Sequence, residues 1–496
     1  MPPAKVIVTV ESILVHKYGN SFQALQHELN RLAADPRFRT TIVCLDDRFT
    51  MAKYNRPPIP VQNYEITRQD AKDWIDSVFI GEEEPPYLVI FGCQDVVPFQ
   101  RFPNPMYAQH NDTDKEVPSD LPYACNSPYS LNIANFTNPT RVVGRIPDLF
   151  KKADVQHVKR QVDFILSNWS RPLADYTNHI GLSAQVWTGS TDRSLNYIFG
   201  ANTNQHDYPV ASNPPSPNLN PMTHFINCHG ALRSVVFQGE GGTPVSYPVA
   251  LRSSDIGAIQ AGTVVAAECC YGAHIHQPLG IQNSIASAYM DNKAAVFMGS
   301  SSIAFGDPLL NDQADIICQE FVKRILSGAS TGRALLEARQ HYIHTKGPLL
   351  SPIDAKTIAQ FYILGDPSVQ PVMPVPEAQS HIKNRRLTMK LKGTLLGSTT
   401  LIAEKVEDAP RPENLDAAIK AALEENQFPD VNEDVFQIAN GEGFGFIDFG
   451  PNPIRFRIFA SKRVSPDPGE GITNLWLLMI KEDGQEILET RVYHAK

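Results

Sequence analysis

Apolar positions in the first part of the chain follow two alternating rhythms. Val6-Ile7-Val8-Thr9-Val10 is a short, almost unbroken apolar run, as expected of a strand buried on both faces. Phe22, Leu25, Leu29 and Leu32 then recur at helical spacing, which predicts a helix with Ser21 as its N-cap. Thr41 to Leu45 and Tyr87-Leu88-Val89-Ile90-Phe91 repeat the strand pattern, and Val142-Val143-Gly144 gives a short fourth strand. Val155, Val158, Val162, Ile165 and Trp169 draw one apolar helical face. Strand alternating with helix predicts one α/β unit over about residues 1–175.

A second unit follows over about residues 176–373. Its strands are predicted at His179 to Leu182, Thr223 to Asn227, Thr263 to Ala267 and Ala294 to Met298. Helices are predicted over about 280–291, 310–326 and 330–344. Between the first two strands, Ala201 to Asn220 is rich in Asn and Pro and reads as a long exposed loop, either a passive connector or a flap or processing site. Pro371-Val372-Met373-Pro374-Val375-Pro376 reads as a stiff linker. Beyond it, apolar and polar residues alternate, most clearly in Ile454-Arg455-Phe456-Arg457-Ile458-Phe459 and Leu475 to Ile480, with one helix over about 414–425. The fold class expected is α/β: two subdomains with mostly parallel sheets, then a β-rich domain over 380–496 that carries no chemical motif.

Composition narrows the function classes. A chain of 496 residues has a prior of about three domains. Hydrophobic residues at 42% and charged residues at 20% describe an ordinary globular protein. The net charge of −9 argues against nucleic-acid partners, which require clustered Lys and Arg. No apolar run approaches the length of about 18 residues of a membrane span. Met1-Pro2-Pro3-Ala4-Lys5 leads straight into the first strand, unlike a signal peptide. The 7 cysteines are scattered and odd in number, so a disulfide framework is not expected and a reducing, cytoplasmic setting is.

Two segments carry candidate chemistry. Phe225-Ile226-Asn227-Cys228-His229-Gly230 is a strand that ends in His-Gly, placing an imidazole at the carboxyl edge of a sheet, where catalytic groups collect. Val264-Val265-Ala266-Ala267-Glu268-Cys269-Cys270-Tyr271-Gly272 is another buried strand, ending in a cysteine pair at the same edge. A free thiol is mostly protonated near neutral pH, and a neighbouring imidazole can take its proton and later protonate a leaving amine. Gly230, lacking a Cβ, allows its backbone N–H to approach a tetrahedral oxyanion.

With these segments in place, the chain resembles the clan CD cysteine peptidases, the group of caspases, metacaspases, legumains, separases and gingipains. Its order of elements over about residues 1–373 is similar to the gingipain-type family. Tyr87 to Phe99 (YLVIFGCQDVVPF), Asp120-Leu121-Pro122-Tyr123 and Val143-Gly144-Arg145-Ile146-Pro147 resemble markers of that family's first subdomain. The His-Gly segment, the strand ending in cysteine, Ala294 to Ser300 and Phe361-Tyr362-Ile363-Leu364-Gly365-Asp366-Pro367-Ser368 resemble those of the second. The resemblance implies two caspase-like subdomains, a His/Cys dyad and protein or peptide substrates, with no cofactor, no metal, no nucleic acid and no membrane. It leaves the C-terminal domain open to a regulatory partner. His229 is the implied base. Cys270 is the preferred nucleophile, because small residues (Cys269 and Gly272) stand one before and two after it, and Glu268 then resembles the acid two before the nucleophile of legumains and metacaspases. Cys269 is the alternative, favoured by the Cys-x-x-Gly pattern of many gingipain-like sequences.

Glu268 could supply a carboxylate to a P1 pocket for Arg or Lys, or be a salt-bridged surface residue; Asp255 and Asp307 are the other acids considered for that pocket. Asp112-Thr113-Asp114 and Glu82-Glu83-Glu84 read as solvated loops. Two rival functions stand beside the peptidase. One is a zinc-binding hydrolase using Cys228, His229, Cys269, Cys270, His274 and His276, although this spacing matches no standard zinc pattern. The other is a catalytically silent caspase-like interaction module.

Overall fold

The computed structural model describes residues 5–496 except 80–85, 108–111, 168–169, 202–206, 211–216, 280–281, 374–399, 408, 431–432, 438–453 and 463–473. Its frame is one ten-stranded sheet. In spatial order the strands are Thr40–Cys44, Lys5–Thr9, Tyr87–Phe91, Val143–Ile146, Phe361–Leu364, Val296–Ser300, Val264–Ala267, Thr223–Asn227, His179–Ala184 and Asp207–Val210. Every neighbouring pair is parallel except Val296–Ser300 with Phe361–Leu364. That single reversal joins two parallel blocks running in opposite directions, so their carboxyl edges face opposite ends of the sheet. Tyr87–Phe91 and Val264–Ala267 are covered on both faces, which accounts for their near-continuous apolar sequences; Thr223–Asn227 is equally buried although Thr223, His224 and Asn227 are polar.

Two of the sequence markers meet where the blocks join. Leu364 pairs with Arg145, and the fully buried Arg145 guanidinium donates to Asp120 through Nε (3.0 Å) and Nη2 (2.7 Å). Its Nη1 caps the carbonyls of Gly92 and Val97, both at 2.8 Å. A bidentate partner plus two carbonyls is the arrangement that lets a guanidinium be buried.

Several local expectations change. Ser21 stands at the N-cap position of the helix Phe22–Ala33, but its side chain makes no capping hydrogen bond, because it closes a 3₁₀ turn, Gly19–Ser21, that runs directly into the helix. The helix expected from 310 begins at Ala314, because Gln313 takes a left-handed conformation at φ 48°. The expected loop Ala201 to Asn220 contains the edge strand Asp207–Val210, which pairs with His179–Ala184; its flanks 202–206 and 211–216 lie outside the described residues. Glu82 to Glu84, Trp169 and Pro374 to Pro376 also lie outside them. No helix among the described residues is long and apolar enough to cross a membrane.

The β-rich part forms a six-stranded, wholly antiparallel sheet in the order Phe305–Gly306, Ile487–Ala495, Leu475–Glu482, Arg455–Lys462, Glu433–Gln437 and Glu404–Val406. Period-two alternation divides its apolar residues. Leu478, Ile480 and Phe459 pack under the helix Glu413–Glu425 through Leu415, Ile419 and Leu423. Leu475, Leu477, Ile458 and Tyr493 face the α/β body, in one cluster with Phe305 and Cys270. The first strand of this sheet comes from the segment that follows Val296–Ser300, so the C-terminal chain is hydrogen-bonded to the α/β part of the sequence at Phe305–Gly306.

Asp120→Ala, which strands the Arg145 charge in the core, is expected to cost about 3–5 kcal/mol of folding stability, measured by urea denaturation of the full chain.

Candidate active site

The strand Thr223–Asn227 lies parallel beside Val264–Ala267, with Ile226 opposite Ala267. Continuing that register three residues along each chain brings His229 beside Cys270. Adjacent strands are about 4.8 Å apart, so the two segments touch as they leave the sheet. A Cβ built on Gly230 would sit 1.9 Å from the Cys270 carbonyl oxygen and 3.2 Å from the Cys269 Cβ. Only glycine fits this crossing, which gives the His-Gly pair a physical reason.

The side chains after the cysteine strand alternate. Cys269 is buried in the core with Ile226, Cys228, Tyr289 and Phe297, its sulfur 3.9 Å from the Ile226 carbonyl. Glu268 and Cys270 project on the other side. Cys270 Sγ lies 3.3 Å from the Ala304 amide and 3.5 Å from its carbonyl. Its backbone N–H donates to the Lys496 carbonyl at 2.7 Å. Burial, the largest influence, pushes the Cys270 thiol up to about 12, against the opposing effects of the Ala304 amide and Lys356. Burial pushes the Cys269 thiol well above its ordinary value too. None of the 7 cysteines is in a disulfide.

His229 is buried, and its Nε2 lies 2.6 Å from Glu240 Oε2. Trp187, Tyr247 and His494 surround the ring, with centroids at 4.6, 5.5 and 5.4 Å. Glu240 reaches it because residue 229 and Gln238 pair as a short antiparallel bridge, His229 N donating to Gln238 O at 2.8 Å. A carboxylate in this position fixes the imidazole's orientation. The sequence reading missed Glu240, although an acid flanked by Gly239, Gly241 and Gly242 was a visible signal.

The acidic cluster expected to be solvated is not. Asp112 is fully buried against the Lys356 ammonium, because Lys356 itself is buried in a helix and requires a counter-charge. Asp114 accepts from the Tyr271 hydroxyl at 2.7 Å and from the Ile303 amide at 3.0 Å. Burial, and secondarily Asp112, keeps the Asp114 carboxyl above the usual range. These contacts brace the turn after Cys270, where Tyr271 is held in the left-handed region at φ 52°. The chain then folds back over Gly299, whose missing side chain leaves room for Ala273 N, 2.8 Å from where a Cβ would be.

Glu268 is fully buried rather than at the surface. It meets the Lys496 ammonium, which also bonds Asp315 at 2.8 Å. Burial raises the Glu268 carboxyl well above its ordinary range, Asp315 adds to this, and Lys496 opposes it. Asp255 instead accepts from the Arg252 amide, and Asp307 from the amides of Leu309 and Leu310, so both serve turns.

The six-residue zinc set does not assemble. Cys228 Sγ lies near the Leu182 carbonyl, and His276 bonds the carbonyls of Gln277 and Ser234. Burial and then His276 push His274 down to about 4. The convergent donor groups among the described residues are His229 with Glu240 and His494, and Cys93 with Asp95 and Asp148, each set within 4.8 Å. The latter group borders a cleft of about 1050 Å³ lined by Lys17, Tyr64, Asp95 and Phe99. That cleft lies beyond the carboxyl ends of the N-terminal block, away from His229.

The model of a known family, described as Peptidase family C25, matches residues 23–372. No curated protein matches the sequence. Among solved structures, the chain is similar to the Arg specific cysteine proteinase gingipain R (RgpB), with 10% identity, a TM-score of 0.50, and coverage of 99% of this chain and 97% of that one. A complex of the Porphyromonas gingivalis RgpB pro- and mature domains matches with 11% identity, a TM-score of 0.48, and coverage of 98% and 99%. The Saccharomyces cerevisiae separase in its securin complex matches at 11% identity and a TM-score of 0.30, covering 47% of this chain and 14% of that one.

A thiol held protonated by burial binds a proton that the unfolded chain releases from about pH 9. Folding stability is therefore complete below pH 9 and is lost as pH rises towards 12. Cys270→Ala is expected to lose less stability than the parent between pH 8.5 and 10.5, compared by urea midpoints.

Proposed function

The chain belongs to peptidase family C25 and is a cysteine-type endopeptidase, and from that premise we propose that Cys270 is its nucleophile and His229 its base. The observation that supports this reading is the strand register, with Ile226 opposite Ala267, together with the close crossing of Gly230 and the Cys270 carbonyl just beyond it. His229 takes the Cys270 proton, and the thiolate attacks the carbonyl carbon of the scissile peptide bond. The backbone N–H groups of Cys270 and Gly230 receive the oxyanion. His229 then gives its proton to the leaving amine, and water hydrolyses the thioester with His229 again as base. Glu240 orients the imidazole and stabilises the imidazolium, the role that a third group plays behind a nucleophile–base pair.

Alternation along the cysteine segment supports Cys270 over Cys269. Cys269 packs in the cluster between the large sheet and its helices, whereas Cys270, on the other side with Glu268, packs beside Phe305 where the C-terminal sheet meets the α/β body. Glu268 beside the nucleophile supports preference for Arg or Lys at P1. The C-terminal sheet, abutting both residues of the dyad, is the natural seat for a regulatory partner, and the reducing, cytoplasmic setting remains part of the reading. A metal-dependent hydrolase is favoured only by the convergence of His229, Glu240 and His494, which would supply two imidazoles and a carboxylate.

His229→Ala and Cys270→Ala are each expected to lower peptide hydrolysis by at least about 10³-fold, whereas Cys269→Ala keeps it within the same order of magnitude. Inhibition by iodoacetamide and indifference to phenanthroline are expected; stoichiometric zinc in the purified protein would replace the thiol reading with the metal one. In a fluorogenic series varying only P1, basic residues are expected to lead. Glu268→Gln should reduce that lead by roughly 10- to 150-fold, the equivalent of about 1.5–3 kcal/mol for a charge-assisted contact.

A further inference from the structure

The end of the strand Ile487–Ala495 lies across both members of the dyad. His494 stacks on Trp476 at 4.1 Å, with Trp187 at 5.1 Å and His229 at 5.4 Å. Lys496 makes two backbone hydrogen bonds, its carbonyl accepting from Cys270 N at 2.7 Å and its N–H donating to Ala304 O at 2.9 Å. Its side chain passes over Gly306, where a Cβ would lie 1.9 Å from Lys496 Cε and 2.5 Å from Nζ. The ammonium then reaches Asp315 and Glu268, with the Trp187 ring centroid 5.6 Å away. Lys496, Glu268 and Asp315 are all 0% exposed.

Burying an ammonium costs several kcal/mol unless counter-charges are already in place. Here burial pulls the Lys496 pKa down, but Asp315 and then Glu268 outweigh it and hold the ammonium charged. Burial and then Asp315 push the Glu268 carboxyl up, and Lys496 opposes them. This pocket is shaped by Gly306 and charged by its acids for an amine on a four-carbon stem. The Lys496 carbonyl meanwhile sits on the N–H of the nucleophile, and its amide pairs with the strand beside it. A peptide with lysine at P1 would present these same three groups in these same places.

We propose that Glu268 and Asp315 together form the pocket for a P1 lysine, and that Lys496 fills it as a tethered pseudosubstrate that holds the enzyme self-occupied. This rests on Cys270 and His229 being the dyad. Asp315 becomes a second specificity-determining acid, carried by the helix Ala314–Leu326 rather than by the cysteine segment. The raised Cys270 thiol fits the same state, since the segment that fills the pocket also removes the thiol from water.

The test uses the full chain in a Cys269→Ala background, with alkylation read at Cys270 by mass spectrometry of the peptide that contains it. Lys496→Ala is expected to speed iodoacetamide alkylation of Cys270 at pH 7.5 by about tenfold or more, since it releases a ligand held at an effective concentration of roughly millimolar. Turnover of a P1-lysine peptide should rise with it, and adding Asp315→Asn should then reduce the preference for lysine over norleucine by at least about tenfold. Alkylation unchanged within twofold in a variant with native circular dichroism overturns the proposal whether or not any peptide is cleaved. Faster alkylation with no cleavage by any variant supports the plug and overturns the peptidase dyad instead. Should Lys496→Ala not fold, hydrogen exchange at residues 493–496 of the parent protein decides. A tripeptide ending in lysinamide should accelerate it where the norleucinamide analogue does not, and equal exchange with both overturns the proposal.

Discussion

The parallel pairing of Thr223–Asn227 with Val264–Ala267 is the constraint on which the rest of the site depends. Parallel neighbours share a direction, so whatever follows each strand emerges at the same edge. Because the register aligns Ile226 with Ala267, an imidazole and a thiol leave the sheet level with each other. The arrangement tolerates no side chain at residue 230, where the two chains cross at contact distance. Everything added around it, the Glu240 carboxylate on the imidazole and the Asp114 brace on the turn, steers groups already adjacent through the backbone.

The antiparallel contact between Val296–Ser300 and Phe361–Leu364 has a wider effect. It lets one sheet of ten strands present carboxyl edges at both ends. The block holding His229 and Cys270 opens on one side. The other opens towards the cleft bounded by Lys17, Asp95 and Phe99. Within the N-terminal block, next to the junction strand, a desolvated ion pair of Arg145 and Asp120 fixes the loops at Gly92 and Val97 to the sheet.

Much of this was legible in the hydrophobic pattern. Strands covered on both faces announce themselves as apolar runs, so the strand ends at His229 and Cys270 could be located from sequence. The alternation in Leu475 to Ile480 likewise disclosed an antiparallel sheet with two unlike faces. What the sequence does not carry is the pairing of residues distant along the chain. Asp112 and Asp114 looked like a hydrated loop because their partners, Lys356, Tyr271 and Ile303, follow more than 150 residues later. Lys496 gave no signal, since a lysine is ordinarily in water and the pairing at Phe305–Gly306, which carries it into the body, joins residues about 190 apart along the chain. Glu240 was readable in principle from its glycine-rich surroundings. Ser21 failed as a cap because a tight turn, invisible to periodicity, already continued the helix.

The two sides of the strand Ile487–Ala495 are unequally fastened. On one side it is paired with Leu475–Glu482 along nearly its whole length; on the other its backbone ladder to the α/β body is confined to Phe305 and Gly306, supplemented by the side chains of Tyr493 on Asp312 and His494 on Trp187. Under mechanical load the short side is the seam that parts, while the long side keeps strand and sheet together as one piece. The C-terminal sheet is thus hinged like a hatch, and a pull on its far edge would be delivered as leverage at the two residues beside Cys270.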